Sequence, residues 1–270
     1  MCNAWKYYGL KPLRSGRPGR QAKFLNHLLS QLYKWTRAVV KTYQEFPVGY
    51  TEWTLTAHMN IVANLCGWLP YSEYTVKLVK GRRSSPSGTA RPDLYVYGKD
   101  GQHEHCWNFE LKRGFITLGA SRQDLEHRVA EKMRANYLQL RKLAKGKYDW
   151  SDYGCCALGF TIWMDAIVRA GKRKELEDRW QKKWHDCQEY DNDCLTLWQE
   201  LKTALRNKSD ELDKFGRVYY SGYIMQHSLA RTFYEDGQKN VREGEWEEAR
   251  IPVGMLWVLA YKSLEDIAKS

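Results

Sequence analysis

The sequence predicts an α/β protein, a mixed central sheet flanked by helices, and three observations predict it. Stretches with apolar residues three and four apart read as amphipathic helices at 21–45, 51–65, 121–145 and 172–215. Between them lie short β-rich runs bounded by turn formers. Leu94–Tyr97 and His105–Leu111 are two such runs, joined by Gly98-Lys99-Asp100-Gly101 as a tight turn. Finally, the unbroken apolar run from Cys155 to Trp163 has the length and composition of a strand buried on both faces.

In chain order, residues 1–20 are basic and read as irregular. Arg14-Ser15-Gly16-Arg17-Pro18-Gly19-Arg20 carries the Gly-Arg-Pro of an AT-hook, which sets arginine into a narrow minor groove, although a flexible basic lead-in accounts for it more simply. Phe24, Leu28, Leu32, Trp35, Val39 and Tyr43 mark the first helix, which Pro47-Val48-Gly49 ends. Thr51 is a good N-cap for a second helix with Trp53, Ala57, Ile61 and Leu65 along one face, stopped by Gly67 and Pro70. Tyr71–Val79 is β-rich, and Lys80–Ala90 is a Gly/Ser/Pro loop carrying Arg82 and Arg83. Leu125, Val129, Met133, Tyr137 and Leu140 mark the next helix. Its basic face (Arg128, Lys132, Arg134, Arg141, Lys142) reads equally as a solvated face or a phosphate-contacting one.

Over 172–215, Leu176, Trp180 and Trp184 form one stripe and Leu195, Trp198, Leu201 and Leu205 another, as in an antiparallel helix pair. Val218–Met225 and Ile251–Tyr261 read as further strands, with an acidic, partly looped stretch at Tyr234–Ala249 between them. The organisation expected is a basic arm and helix (1–50), a core (51–165), and a helical pair with C-terminal strands packed on that core (166–270). Residues 51–164 then read helix, strand, strand, strand, helix, strand.

Lys plus Arg number 43 against 32 Asp plus Glu, a net charge of +11, which points to an anionic partner such as nucleic acid. A hydrophobic fraction of 43% and an aromatic fraction of 14% exclude a disordered chain. No apolar run approaches the roughly 18 residues of a membrane span, and the start has no apolar leader core. The seven cysteines (Cys2, Cys66, Cys106, Cys155, Cys156, Cys187, Cys194) show no CxxC spacing, which fits reduced thiols in a cytoplasmic protein.

The chemistry concentrates between Arg91 and Gly114. Asp93 follows Pro92 at the start of one strand of the hairpin, and Glu110-Leu111-Lys112 lies on the other. Alternation points Glu110 and Lys112 to one face and Leu111 to the opposite one. Two carboxylates brought together are costly unless a cation compensates them, and Mg²⁺ prefers such oxygen ligands. Glu200-Leu201-Lys202 repeats the tripeptide, but on an amphipathic helix with no Pro-Asp strand before it.

Pro92-Asp93 with Glu110-Leu111-Lys112, on the second and third strands of this element order, resembles the signature of the PD-(D/E)xK nucleases, the restriction-endonuclease-like fold. The resemblance covers about residues 51–164. It implies a metal-dependent endonuclease acting on DNA, with RNA as the other substrate to weigh. Asp93 and Glu110 would hold Mg²⁺, with Mn²⁺ substituting, and Lys112 would assist the attacking water. Family members add an acid from the first core helix; Glu52 matches, with Glu73 as second choice. Lys132 or Gln139 would approach from the following helix, and Arg82, Arg83, Arg91 and Arg113 would hold the nucleic-acid backbone. A homodimer is compatible with this reading, and its rivals are a catalytically silent nucleic-acid-binding protein of the same fold and a protein-interaction subunit.

Overall fold

The computed structural model describes residues 5–15, 19–46, 52–72, 76–77, 89–90, 92–100, 103–145, 152–165, 187–242 and 250–270. A mixed seven-stranded sheet crosses the whole protein. Its spatial order is Lys6–Pro12 (β1), Arg217–Ile224 (β8), Arg250–Ser263 (β9), Tyr153–Asp165 (β7), His103–Thr117 (β6), Leu94–Asp100 (β5) and Leu69–Ser72 (β2). Val76–Lys77 (β3) and Thr89–Ala90 (β4) form a separate small ribbon. Every neighbouring pair in the large sheet is antiparallel except β6 and β7, which run parallel from Trp107↔Tyr153 to Thr117↔Trp163. Helix α3 (Arg122–Ala144) makes the crossover that a parallel pair requires.

Helices cover both faces. Helix α1 (Arg20–Tyr43) lays Phe24 parallel to Trp107, centroids 5.3 Å apart, and packs with α2 (Glu52–Leu65) through Trp35 and His58. On the opposite face are α3, α4 (Cys187–Asn207) and α7 (Leu264–Lys269), with α5 (Ser209–Leu212) beside α3. Leu140 of α3 and Ile267 of α7 close over Gly154, where a Cβ would sit 2.8 and 2.6 Å from them. Helix α6 (His227–Arg242) packs on β9.

The α3 stripe is buried as its periodicity predicts. Ser121 caps that helix, accepting from Asp124 N–H at 3.2 Å. Ser121→Ala is expected to lower the melting temperature by about 2–4 °C in calorimetry.

Elsewhere the structure corrects the expectations. Residues 6–12 are an edge strand paired with β8 rather than irregular chain. In α2 the buried set is Leu55, Met59, Val62 and Ala63, while Ile61 and Leu65 are 41% and 65% exposed. Both stripes have helical spacing, and packing against the sheet and α1 chooses between them. The α1 stripe holds to Leu32; the buried row then continues in steps of four to Thr36 and Val40, whereas the expected set steps by three to Trp35 and so ends on exposed Tyr43. Helix α6 continues to Arg242, through residues expected to be partly loop.

The hairpin ladder runs on to Asp100↔His103, so Gly98-Lys99-Asp100 are strand residues and not the turn. Gly98 is there for another reason: a Cβ would lie 2.7 Å from the Trp68 indole. Cys66, Cys106, Cys155, Cys156 and Cys194 are free thiols, but Cys187 is disulfide-bonded, correcting the expectation of uniformly reduced cysteines. Spacing along the chain does not report a bond closed by tertiary approach. Among the described residues no helix is long and apolar enough to cross a membrane.

Candidate active site

Asp93 stands immediately before β5. The ladder pairs Leu94 with Phe109, so one step further Asp93 falls beside Glu110. Cross-strand partners share a face, and so do residues two apart on a strand. Asp93, Glu110 and Lys112 therefore share one face of the sheet. It is the face that α3 covers, since a Cβ on Gly114, the next residue in that set, would lie 3.5 Å from Lys132 Cε. Phe109 and Leu111 alternate to the α1 side, and both are fully buried.

The β5 ladder ends at Leu94↔Phe109, and Pro92 has no N–H with which to extend it. Asp93 fills the gap with its side chain: Oδ2 accepts from the Leu111 N–H at 2.7 Å. One carboxylate oxygen thus holds the strand end in place and fixes Asp93 against the Glu110–Lys112 segment. Glu110 is only 2% exposed, whereas Asp93 and Lys112 are half-buried and Lys112 Nζ donates to the Leu111 carbonyl at 3.3 Å. Glu110 pairs in register with Cys156. Burial pushes the Cys156 thiol well up, and Cys155 and the Glu110 carboxylate add to the rise.

Two carboxylates on adjacent strands, one of them nearly closed off from water, favour a cation between them. Among the described residues no group of three His, Cys, Asp or Glu side chains could hold a metal ion. Mg²⁺ asks for less. One or two carboxylates, completed by water and substrate phosphate, are its usual protein ligands, and Asp93 with Glu110 fits that demand.

The other sequence-predicted residues divide. Glu52 opens α2, the helix in the α1 layer. Of the two α3 residues, Lys132 reaches β6 beside Gly114, while Gln139 is on the exposed side of its helix. Arg113 does not join the site. It alternates to the opposite face from Lys112, is 8% exposed, and places its guanidinium 4.1 Å over the Phe115 ring. Burial there lowers its pKa to about 10. Glu73, Arg82, Arg83 and Arg91 lie outside the described residues, as do Arg17-Pro18 and the stripe Leu176, Trp180 and Trp184.

Two residues of the basic face of α3 are engaged: Arg134 meets Glu211 and Arg128 donates to the Phe115 carbonyl. At the start of the helix Arg122 grips Glu200 of α4 through two bonds of 2.7 and 3.1 Å. Glu200-Leu201-Lys202 is thereby on a helix, with Glu200 in an ion pair that holds its carboxyl below the usual range. Trp198 stacks on Tyr8 at 4.3 Å, and Leu201 and Leu205 are buried, whereas Leu195, expected in the same stripe, is exposed.

Sequence reasoning missed Asn136. It is fully buried in the α3 stripe, donates through Nδ2 to the Ala157 carbonyl at 3.2 Å, and its enclosed Oδ1 has no partner. A lone amide among Val129, Met133, Tyr137 and Leu140 was the available signal. The thiols are poor nucleophiles: burial pushes Cys66 to about 11 and Cys194 to about 12. Comparison with protein-family models, with curated proteins and with solved structures returned no match.

Proposed function

We propose that the protein is a metal-dependent nuclease of the restriction-endonuclease-like fold that hydrolyses phosphodiester bonds in DNA. One observation carries the reading: Asp93, Glu110 and Lys112 share a sheet face at the point where the β5 ladder leaves β6. The order of helices and main-sheet strands, α2, β2, β5, β6, α3, β7, with the small β3–β4 ribbon between β2 and β5 and with β6 and β7 parallel, supports it, as does the net charge of +11.

In this reading Asp93 and Glu110 hold Mg²⁺, or Mn²⁺ in its place, whereas Glu52 starts α2, in the layer on the opposite face of the sheet, and is left out of the metal shell. The bound ion supplies Lewis-acid polarisation of the scissile phosphate. Lys112 Nζ orients the attacking water and donates to oxygen as charge develops on phosphorus. Water adds to phosphorus as the P–O bond to the leaving oxygen breaks. The Asp93–Leu111 bond sets the geometry before substrate arrives, so little reorganisation accompanies the step. Arg82, Arg83 and Arg91 precede Asp93 in the chain and supply cations for the backbone; buried Arg113 has no part in it.

A second reading, binding without cleavage, is favoured by one fact. Asp93 already has a structural task at Leu111, which would keep an aspartate there in the absence of catalysis. The two separate cleanly in a supercoiled-plasmid assay. Nicking that needs Mg²⁺, stops in EDTA and exceeds cleavage of single-stranded RNA is the expected result. Tight DNA binding without nicking in Mg²⁺ or Mn²⁺ would support the silent module, and cleavage confined to RNA would change the substrate. Mg²⁺ is also expected to raise the melting temperature, corresponding to about 2.7 kcal/mol at a hundred times Kd, and Glu110→Gln to remove that rise.

A further inference from the structure

Charge is distributed unevenly along the chain. The first 44 residues hold nine Lys or Arg and no Asp or Glu, whereas the remainder holds 34 against 32 and is close to neutral. Most of the net charge of +11 therefore belongs to β1, α1 and the residues around them. Lys6 is paired with Asp191 at 2.8 Å and Arg14 with Asp210 at 3.0 Å, so these two brace the N-terminal segment against α4 and α5.

Five of the nine are on α1 and are not committed in that way. Arg20, Lys23, Lys34, Arg37 and Lys41 are exposed and, among the described residues, form no ion pair. At 3.6 residues per turn they fall within an arc of about 100°, centred opposite Leu25 and Leu32, which are buried in the core. From Arg20 to Lys41 the stripe runs about 31 Å. This arrangement opposes helix stability. Arg20 opens the helix at its positive dipole end, which disfavours a cation. Arg20 with Lys23, and Lys34 with Arg37 and Lys41, stand three or four apart, where like charges repel. No acid anywhere in α1 offsets either effect.

A long line of unpaired cations is complementary to a polyanion, and the rest of the helix narrows which one. The apolar side of α1 is turned onto the sheet, so the helix cannot bury that side in a lipid surface as an interfacial helix does. Tyr33 and Trp35, the rings nearest the stripe, are taken up by Tyr7 and His58, which leaves no platform there for unpaired bases. A duplex needs none. It presents one phosphate charge per about 1.7 Å of its axis, many along the length of this stripe.

We infer that the exposed face of α1 is a docking surface for the sugar–phosphate backbone of duplex DNA, gripped by these five cations without regard to base sequence. The sheet lies between this face and the Asp93–Glu110 pair, so the surface anchors DNA and takes no part in bond cleavage. Its existence does not rest on the nuclease reading; only the choice of DNA over RNA does.

Fluorescence anisotropy of a labelled DNA duplex, titrated with the full chain in EDTA between about 50 and 200 mM KCl, tests it. Saturable binding that weakens with salt is expected. Lys34→Gln with Arg37→Gln and Lys41→Gln should bind about tenfold or more weakly and flatten the slope of log K against log salt by about 2–3, since each phosphate contact contributes about 0.9. Glutamine matches lysine and arginine in helix propensity and the positions are exposed, so this variant should melt like the parent. Arg20→Gln with Lys23→Gln, at the other end of the stripe, should weaken binding as well. Lys145→Gln with Arg206→Gln and Lys214→Gln takes three charges from exposed positions elsewhere and should bind like the parent. No binding by the parent, binding unchanged in the α1 variants, or equal weakening in the control, which would mean bulk charge alone, would each overturn the inference. So would tighter binding of a DNA single strand, an RNA duplex or phosphatidylserine vesicles. EDTA keeps binding apart from nicking: a protein that binds through α1 without nicking overturns the nuclease reading alone, and one that nicks without binding through α1 overturns this inference alone.

Discussion

The Asp93→Asn protein is expected to lose Mg²⁺-dependent plasmid nicking by at least about 10²-fold while melting close to the parent. The reason is the division of labour in that carboxylate. Oδ2 accepts the Leu111 N–H at 2.7 Å, and an asparagine carbonyl can accept the same bond. The negative charge is what a metal ion requires, and the amide lacks it. Asp93→Ala removes both functions. Leu111 is fully buried, so its N–H is left without an acceptor, at a cost of about 1–3 kcal/mol. Lys112→Ala is expected to slow cleavage about 10²–10³-fold, the scale found when one donor to a developing oxyanion is removed. If Asp93→Asn and Lys112→Ala proteins nick as fast as the parent, the assignment of the site is wrong. If Asp93→Asn melts as low as Asp93→Ala, the structural account of the hydrogen bond fails instead.

Trp107→Ala is expected to destabilise the protein by about 3–5 kcal/mol in urea unfolding, with the midpoint falling and the slope little changed. Trp107 is fully enclosed and is the hub of an aromatic cluster. Its ring lies 5.3 Å from Phe24 of α1 at 1°, 4.9 Å from Tyr153 of β7, and edge-on to Tyr261 of β9 at 5.4 Å. Truncation would open a cavity between α1 and three strands that no neighbour is free to fill. Against a typical total of about 5–15 kcal/mol, such a loss is severe. A change below about 1 kcal/mol would show that the α1 layer is held elsewhere.

Part of this architecture was legible in the residues. The α3 stripe, the apolar β7 run and the alternation of Glu110, Leu111 and Lys112 are local patterns that periodicity reports directly. Other features were ambiguous because two local patterns competed. Helix α2 offers two apolar faces, and only its packing on the sheet and α1 buries Leu55, Met59 and Val62 instead of Ile61 and Leu65. Gly98 looked like a turn residue, yet its lack of a side chain makes room for Trp68, thirty positions earlier. Arg113 read as a basic residue near a signature. Strand alternation alone would have sent it to the opposite face from Lys112, and that signal was present but not used.

By itself the sequence determined the α/β class, the order of the helices and main-sheet strands over residues 51–164 (though not the separate β3–β4 ribbon, which takes up part of the expected Tyr71–Val79 strand), and the shared strand face of Glu110 and Lys112. These depend on spacing within one or two elements, where a period of 2.0 or 3.6 residues carries the information. Only the tertiary structure decided that the N-terminal residues close one edge of the sheet and that β9 lies inside it, between β8 and the central β7. It alone set Asp93 against the Leu111 N–H. Each of these joins residues far apart in the chain. Their pairing is chosen by the summed burial and hydrogen bonding of the whole sheet, which no local window contains.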